Sequence, residues 1–155
     1  MSDVQNKLIE GVKEVSAAAE KLVVVTGKPG SGKSKILREL ADTQKWQYVD
    51  CKDLVTPADL HGIHAEEKNA KAVEIMKNVF DNYKGSVLLL DKLQTLFSPA
   101  MGLDVMQVMK QASASKPLVV AWPGYYENNQ LNFKNESANV VASYSVDGIK
   151  LFSMD

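Results

Sequence analysis

The chain carries one run whose residue types and spacing define a chemistry by themselves: Gly27, Lys28, Pro29, Gly30, Ser31, Gly32, Lys33 and Ser34 fill the pattern G-x-x-x-x-G-K-[ST] at every fixed position. The spacing has a physical reason. Glycines let consecutive backbone N–H groups turn inward toward phosphate oxygens, and a following helix presents its positive N-terminus to the same anion. Lys33 then supplies an ammonium to the outer phosphates, and the Ser34 hydroxyl is a ligand for Mg²⁺. This is the Walker A phosphate-binding loop, with ATP and Mg²⁺ as the implied ligands. Lys28 and Pro29 occupy its variable positions, where Pro29 stiffens the loop.

A second acidic element belongs with it. Asp91 ends the apolar run Val87, Leu88, Leu89, Leu90, as does the Walker B aspartate that holds Mg²⁺ in phosphate-loop proteins. Lys33 and Asp91 are therefore the candidate catalytic residues, and Ser34 and Asp91 the candidate metal ligands. Many ATPases of this superfamily place a glutamate directly after that aspartate to activate water. Here the next residue is Lys92, and Gln94 is the nearest candidate for orienting water. Of 18 basic residues only Arg38 is arginine, which leaves 17 lysines and no evident arginine finger within the chain. Slow hydrolysis, or hydrolysis completed by a partner, is the expectation.

Other polar residues are open to two readings. His61 and His64 stand three apart, as metal ligands on one helix side do, but no third ligand is near and a surface position fits equally. Asp50 ends a strand, where it either serves a substrate or caps the turn. Trp122, Pro123 and Gly124 end another, as a nucleotide-adjacent or partner-binding rim or as a rigid turn with a packed Trp.

These residues need elements to hold them. Val4, Leu8, Ile9, Val12 and Val15 fall at helical spacing, so residues 1–20 form an amphipathic helix docked by one face. Leu22 to Val25, Trp46 to Cys51, Val87 to Leu90 and Leu118 to Trp122 read as strands, and runs apolar at every position suit a parallel sheet covered on both faces. Between them come a helix over Lys35 to Ala41, a short one opened by Pro57, a longer one over Ala65 to Asn82, and a helical region from Leu93 to Ser113 broken around Ser98, Pro99 and Gly102. Tyr125 to Phe133 predicts a C-terminal hairpin turning at Asn128 and Asn129, and Ile149 to Phe152 a last strand. The expected fold is an α/β three-layer P-loop NTPase domain spanning 1–155, a mostly parallel sheet of about five strands with helices on both faces, ending in a divergent tail over 134–155.

Composition narrows the class. The chain has 155 residues, 45% of them apolar and 24% charged, an ordinary globular mixture. Its net charge of −1 provides no overall basic field for nucleic acid, leaving only local contact open. The lone cysteine, Cys51, and the absence of a run near the roughly 20 apolar residues that span a bilayer point to a reduced, cytoplasmic protein without membrane contact.

The phosphate loop, the segment from Leu88 to Phe97 and the segment from Leu118 to Gly124 together resemble the BrxF family, the small phosphate-loop proteins of type 3 BREX bacteriophage-defence systems. The similarity spans about residues 20 to 133. It implies an ATP-binding component of a multi-protein defence complex, with other BREX proteins as partners and self-association as a further mode. In the family pattern an asparagine follows the motif aspartate and a glutamate stands near the place of Gln94, so Lys92 and Gln94 depart from it. Two other classes compete. A small nucleotide or metabolite kinase fits the size, but such kinases clamp phosphates with several arginines; a non-catalytic scaffold with a vestigial nucleotide site would not bind ATP in the presence of Mg²⁺. Lys33→Ala is expected to abolish nucleotide binding while the circular dichroism of the folded chain is unchanged; equal affinity in the variant would remove the phosphate-loop assignment.

Overall fold

The computed structural model describes residues 3–28, 30–83, 85–98, 101–134, 140–146 and 149–154. Five strands, β1 (Leu22–Thr26), β2 (Gln47–Asp50), β3 (Leu88–Asp91), β4 (Leu118–Ala121) and β8 (Lys150–Ser153), form one sheet in the order β2-β3-β4-β1-β8. Every neighbouring pair in it is parallel. The α/β architecture expected from the alternation of apolar runs and amphipathic segments is the one observed.

The continuous apolar runs are explained by burial on both faces. Side chains alternate along each strand, so Leu22 and Val24 join Leu88, Leu90, Leu118 and Val120 in a core shared with α4 (Lys68–Asp81) and α5 (Val105–Ala112). Val23 and Val25 point the other way and pack with Leu89, Val119 and Ala121 against Leu8 and Val12 of α1 (Asp3–Val15) and Ile36, Leu37 and Leu40 of α2 (Lys33–Gln44). A strand of this kind has no polar face to turn to water, and the two helix layers supply the cover.

Several expected elements sit within a few residues of their sequence positions. The short helix opened by Pro57 is α3 (Pro57–Leu60), started by a reciprocal Thr56–Asp59 capping box. The interrupted helical region becomes a 3₁₀ turn over Leu93–Phe97 followed by α5; Pro99 lies outside the described residues. The hairpin is β5 (Tyr125–Glu127) and β6 (Gln130–Lys134), and its turn residues Asn128 and Asn129 have φ of 53° and 60°. Both are left-handed, as a two-residue type I′ connection requires, and asparagine tolerates that region better than most residues.

In the C-terminal region the last strand expected over Ile149 to Phe152 is present as β8, and one further strand appears that was not expected. β7 (Val140–Ser145) adds a third antiparallel strand beside β6. β8 then returns to the main sheet and pairs with β1, two chain neighbours that are 120-odd residues apart: Val24 with Leu151, Val25 with Phe152. β7 carries only a short apolar run, Val140, Val141 and Ala142, followed by Ser143, Tyr144 and Ser145.

The second sheet is fastened to the first by close backbone approach. The indole N–H of Trp122 donates to the Asn132 carbonyl at 3.1 Å, and a Cβ placed on Gly124 would lie 1.8 Å from that same oxygen. No side chain fits there. Gly124→Ala is therefore expected to lower stability by at least about 1–3 kcal/mol, the usual range for overpacking, or roughly 2–12 °C in thermal midpoint for a chain of this length, as read by calorimetry.

Candidate functional site

In a parallel sheet all strand C-termini open on one rim, and here that rim collects the candidate residues. The phosphate loop leaves β1 and enters α2. Gly30 and Gly32 have φ of +82° and +97°, a region that residues with a Cβ rarely adopt. Gly27 is needed for a different reason: a Cβ on it would meet the Ser31 hydroxyl oxygen at 2.4 Å. The loop closes on itself through Ser31 N–H to the Lys28 carbonyl at 3.0 Å, and α2 begins with Ile36 N–H to the Gly32 carbonyl at 2.9 Å. Pro29 falls outside the described residues.

The Lys33 ammonium lies back on the loop, donating to the Gly27 carbonyl at 2.5 Å. The Ser31 hydroxyl oxygen is buried with no hydrogen-bond partner among the described residues. A buried hydroxyl in the loop and an ammonium held by the loop's own carbonyl form a donor set suited to phosphate oxygens.

Asp91 is 4% exposed and is surrounded by donors. The Tyr48 hydroxyl donates to its Oδ2 at 2.5 Å, the Lys92 backbone N–H to its Oδ1 at 2.9 Å, and the Ser34 hydroxyl stands near enough to favour the charged carboxylate. Burial works to raise its pKa, but the bonds from Tyr48 and Ser34, the Lys92 N–H and the Lys92 charge together hold it below the usual aspartate range. Asp91 is thus an anion at neutral pH, touching the serine that would share a Mg²⁺ ion with it. The two residues fit that ion: a hydroxyl and a carboxylate are the hard oxygen ligands it takes alongside phosphates and water.

Tyr48 was not evident from the sequence as a site residue. It stands in β2, paired with Leu89 of β3, and its phenol is pushed up to about 12 by burial and then by the bond to Asp91. The Arg38 guanidinium lies over its ring, 5.3 Å from the centroid. The chain's single arginine therefore faces a tyrosine of its own site.

The remaining candidates separate clearly. Asp50 is level with Asp91 across the β2–β3 pair, and its carboxylate accepts from the Lys52 N–H at 3.0 Å, which is the turn-capping role. Lys92 has φ +61° and opens the 3₁₀ turn, where Gln94 is exposed. His61 and His64 are exposed, and no group of three or more metal-ligating side chains occurs among the described residues. Trp122 is buried at 1% exposure as a packed turn residue. Beyond it, Gly124 to Glu127 line a cleft of 170 Å³ with Thr26, Gly27, Lys28 and Ser153, beside the phosphate loop. Cys51 is buried, and burial raises its pKa well above neutrality, so it remains a thiol.

The family description AAA domain (dynein-related subfamily) matches residues 22–144. This chain belongs to the AAA family. The matched region of this AAA chain opens at the first residue of β1 and closes in β7, so it takes in the loop, Asp91 and most of the second sheet, and leaves out α1 and β8. Over 93 residues the chain is 30% identical to the vesicle-fusing ATPase of Dictyostelium discoideum, a stretch covering 59% of this chain. It spans 12% of that relative's length. The structure of PCH-2 from C. elegans matches with a TM-score of 0.50 at 12% identity, over 99% of this chain and 43% of that one, a likeness of fold. A katanin structure matches at 22% identity with a TM-score of 0.45, over 78% of this chain and 43% of that one. Membership of the AAA family implies nucleotide binding and usually Mg²⁺. Among the described residues no helix is long and apolar enough to cross a membrane.

The Asp91–Tyr48 pair has opposite effects on the two limbs of a stability–pH profile. A lowered Asp91 contributes stability that is present above the ordinary aspartate value of about 3.9 and is lost as pH falls through the lowered value. A raised Tyr48 contributes stability present below the ordinary value of about 10 and lost as pH rises toward about 12. Urea unfolding across pH is expected to show the acid limb flattened in Asp91→Asn and the alkaline limb flattened in Tyr48→Phe.

Proposed function

We propose that the chain is an ATP-binding AAA domain with weak or partner-dependent hydrolysis, serving as a nucleotide-dependent component of a BREX-type bacteriophage-defence complex. One observation carries the nucleotide reading: the Ser34 side chain stands by the Asp91 carboxylate at the mouth of a complete phosphate loop, whose lysine rests on the loop's own Gly27 carbonyl. The defence context rests on the resemblance of the Leu88–Phe97 and Leu118–Gly124 segments to the BrxF family.

Lys33 exchanges the Gly27 carbonyl for the outer phosphates, and the backbone N–H groups of the loop with the α2 N-terminus hold the remaining phosphate charge. Ser34 and Asp91 hold the Mg²⁺, which when bound neutralises charge on the phosphate oxygens. The place after Asp91, where many ATPases of this superfamily carry a water-activating glutamate, holds Lys92, and Gln94 has no basic group. A positioned base contributes about 10²–10⁴-fold to such a step, so the chain alone turns over slowly. A partner, either another defence protein or a second copy of the chain, supplies the missing group. Bound nucleotide then sets the state of the complex, and turnover ends it.

The test is thermal unfolding with and without Mg·ATP, beside Lys33→Ala, with phosphate release read from the same samples. At 100 times the dissociation constant the ligand adds about 2.7 kcal/mol, which for this length is a midpoint rise of roughly 5–11 °C. The expected result is a rise in the native protein alone with little phosphate release, and at least a tenfold faster release when the other proteins of the defence system are added. No rise with Mg·ATP would leave the scaffold reading in its place.

A further inference from the structure

We infer that Tyr48 is a positioning residue for the Mg²⁺-binding carboxylate of Asp91, itself held in place by the chain's single arginine. The inference rests on the nucleotide-site reading above and deepens it.

The β2–β3 register places Tyr48 beside Leu89 and Asp50 beside Asp91. In a parallel pair, residues at the same level point to the same face, so Tyr48, Leu89 and Asp91 all face α2. The phenol reaches along that face to Oδ2 of Asp91 at 2.5 Å. On α2, Ser34 and Arg38 are four residues apart and so lie one turn above the other. Ser34 stands by the carboxylate, and Arg38 lies over the tyrosine, with its guanidinium 5.3 Å from the ring centroid. One helix thus grips both members of the Tyr48–Asp91 pair.

The proton directions follow from the donor inventory. Arginine only donates, and an ionised carboxylate only accepts. The phenol has one proton and gives it to Asp91, while the Arg38 cation rests over its ring. Tyr48 on Oδ2 and the Lys92 N–H on Oδ1 then fix the plane of the carboxylate from both ends. Of the three donors around Asp91, the Ser34 hydroxyl is the one with another task, since it becomes a ligand of the cation. When Ser34 leaves, Tyr48 and Lys92 keep the carboxylate oriented, with the oxygen lone pair on the Ser34 side released. Groups that orient a metal ligand in this way are worth about 10–100-fold in metal affinity. A tyrosine present only to stabilise the sheet would act equally with or without the cation.

That difference is measurable with a fluorescent ATP analogue, titrated in Mg²⁺ and again in EDTA. Tyr48→Phe is expected to bind the analogue about 10–100-fold more weakly than the native chain in Mg²⁺ and equally well in EDTA. In an Asp91→Asn background the same change is expected to add nothing, because its route to the cation is gone. Arg38→Gln leaves the tyrosine in place and is expected to show a smaller loss confined to Mg²⁺, which keeps the test available if Tyr48→Phe does not fold. An unchanged Mg²⁺ dependence in both variants, or equal losses in Mg²⁺ and EDTA, would overturn the inference and leave the nucleotide site standing. A native chain that binds no analogue in Mg²⁺ would overturn the site reading, and the inference with it.

Discussion

Strand β1 is the constraint on which the rest depends. All five of its residues are buried, helices cover both its faces, and β4 and β8 bond to its two edges. A loop that must hold phosphates with backbone N–H groups needs a fixed origin, because each donor is aimed only as well as the chain entering it. Burial of about 25 cal/mol per Å² of apolar surface on both faces supplies that rigidity where the loop itself, with left-handed Gly30 and Gly32, has little of its own.

The charge at the site is managed locally. Asp91 is buried, and an unpaired buried carboxylate would take up a proton; three donors keep it ionised. These contacts bring to Asp91 two elements distant in sequence, α2 through Ser34 and β2 through Tyr48, and the adjoining 3₁₀ turn through Lys92. Loop, strand and turn therefore share one anchor, and a change in the occupancy of Ser34 is felt by all three.

A second connection runs away from the site. Phe97, at the end of the 3₁₀ turn that follows Asp91, packs edge-on to Trp122 with ring centroids 5.5 Å apart. It also stacks on Phe133 of β6 at 4.3 Å, and Trp122 meets Tyr144 of β7 at 6.1 Å. The antiparallel sheet is thus tied by aromatic contacts to the segment leaving Asp91. Tyr125 and Tyr126 on its outer strand are exposed, at 41% and 38%, beside the cleft that reaches Gly27 and Lys28. Whatever touches that strand is close to the phosphate loop.

The phosphate loop, the aspartate that partners it and the alternation of strands with helices were legible in the sequence, because each is written in local spacing: glycines at fixed offsets, an acidic residue at the end of an apolar run, apolar residues every three or four positions. The asparagine turn of the hairpin was legible for the same reason. Tyr48 was not, since its meaning lies in the β2–β3 register and in a helix that passes over it, and neither is encoded near residue 48. Nor was the placement of Arg38 on that tyrosine. β7 escaped notice because its apolar run, Val140 to Ala142, is short and gives way at once to Ser143, Tyr144 and Ser145. The pairing of β8 with β1 joins the two ends of the chain, and such contacts depend on which edge of the sheet is left bare once the other strands are laid down. Local propensity determined the parts and the chemistry of the loop; the tertiary structure decided which polar groups meet, because hydrogen bonds between strands and helices far apart in sequence form only where packing brings them together.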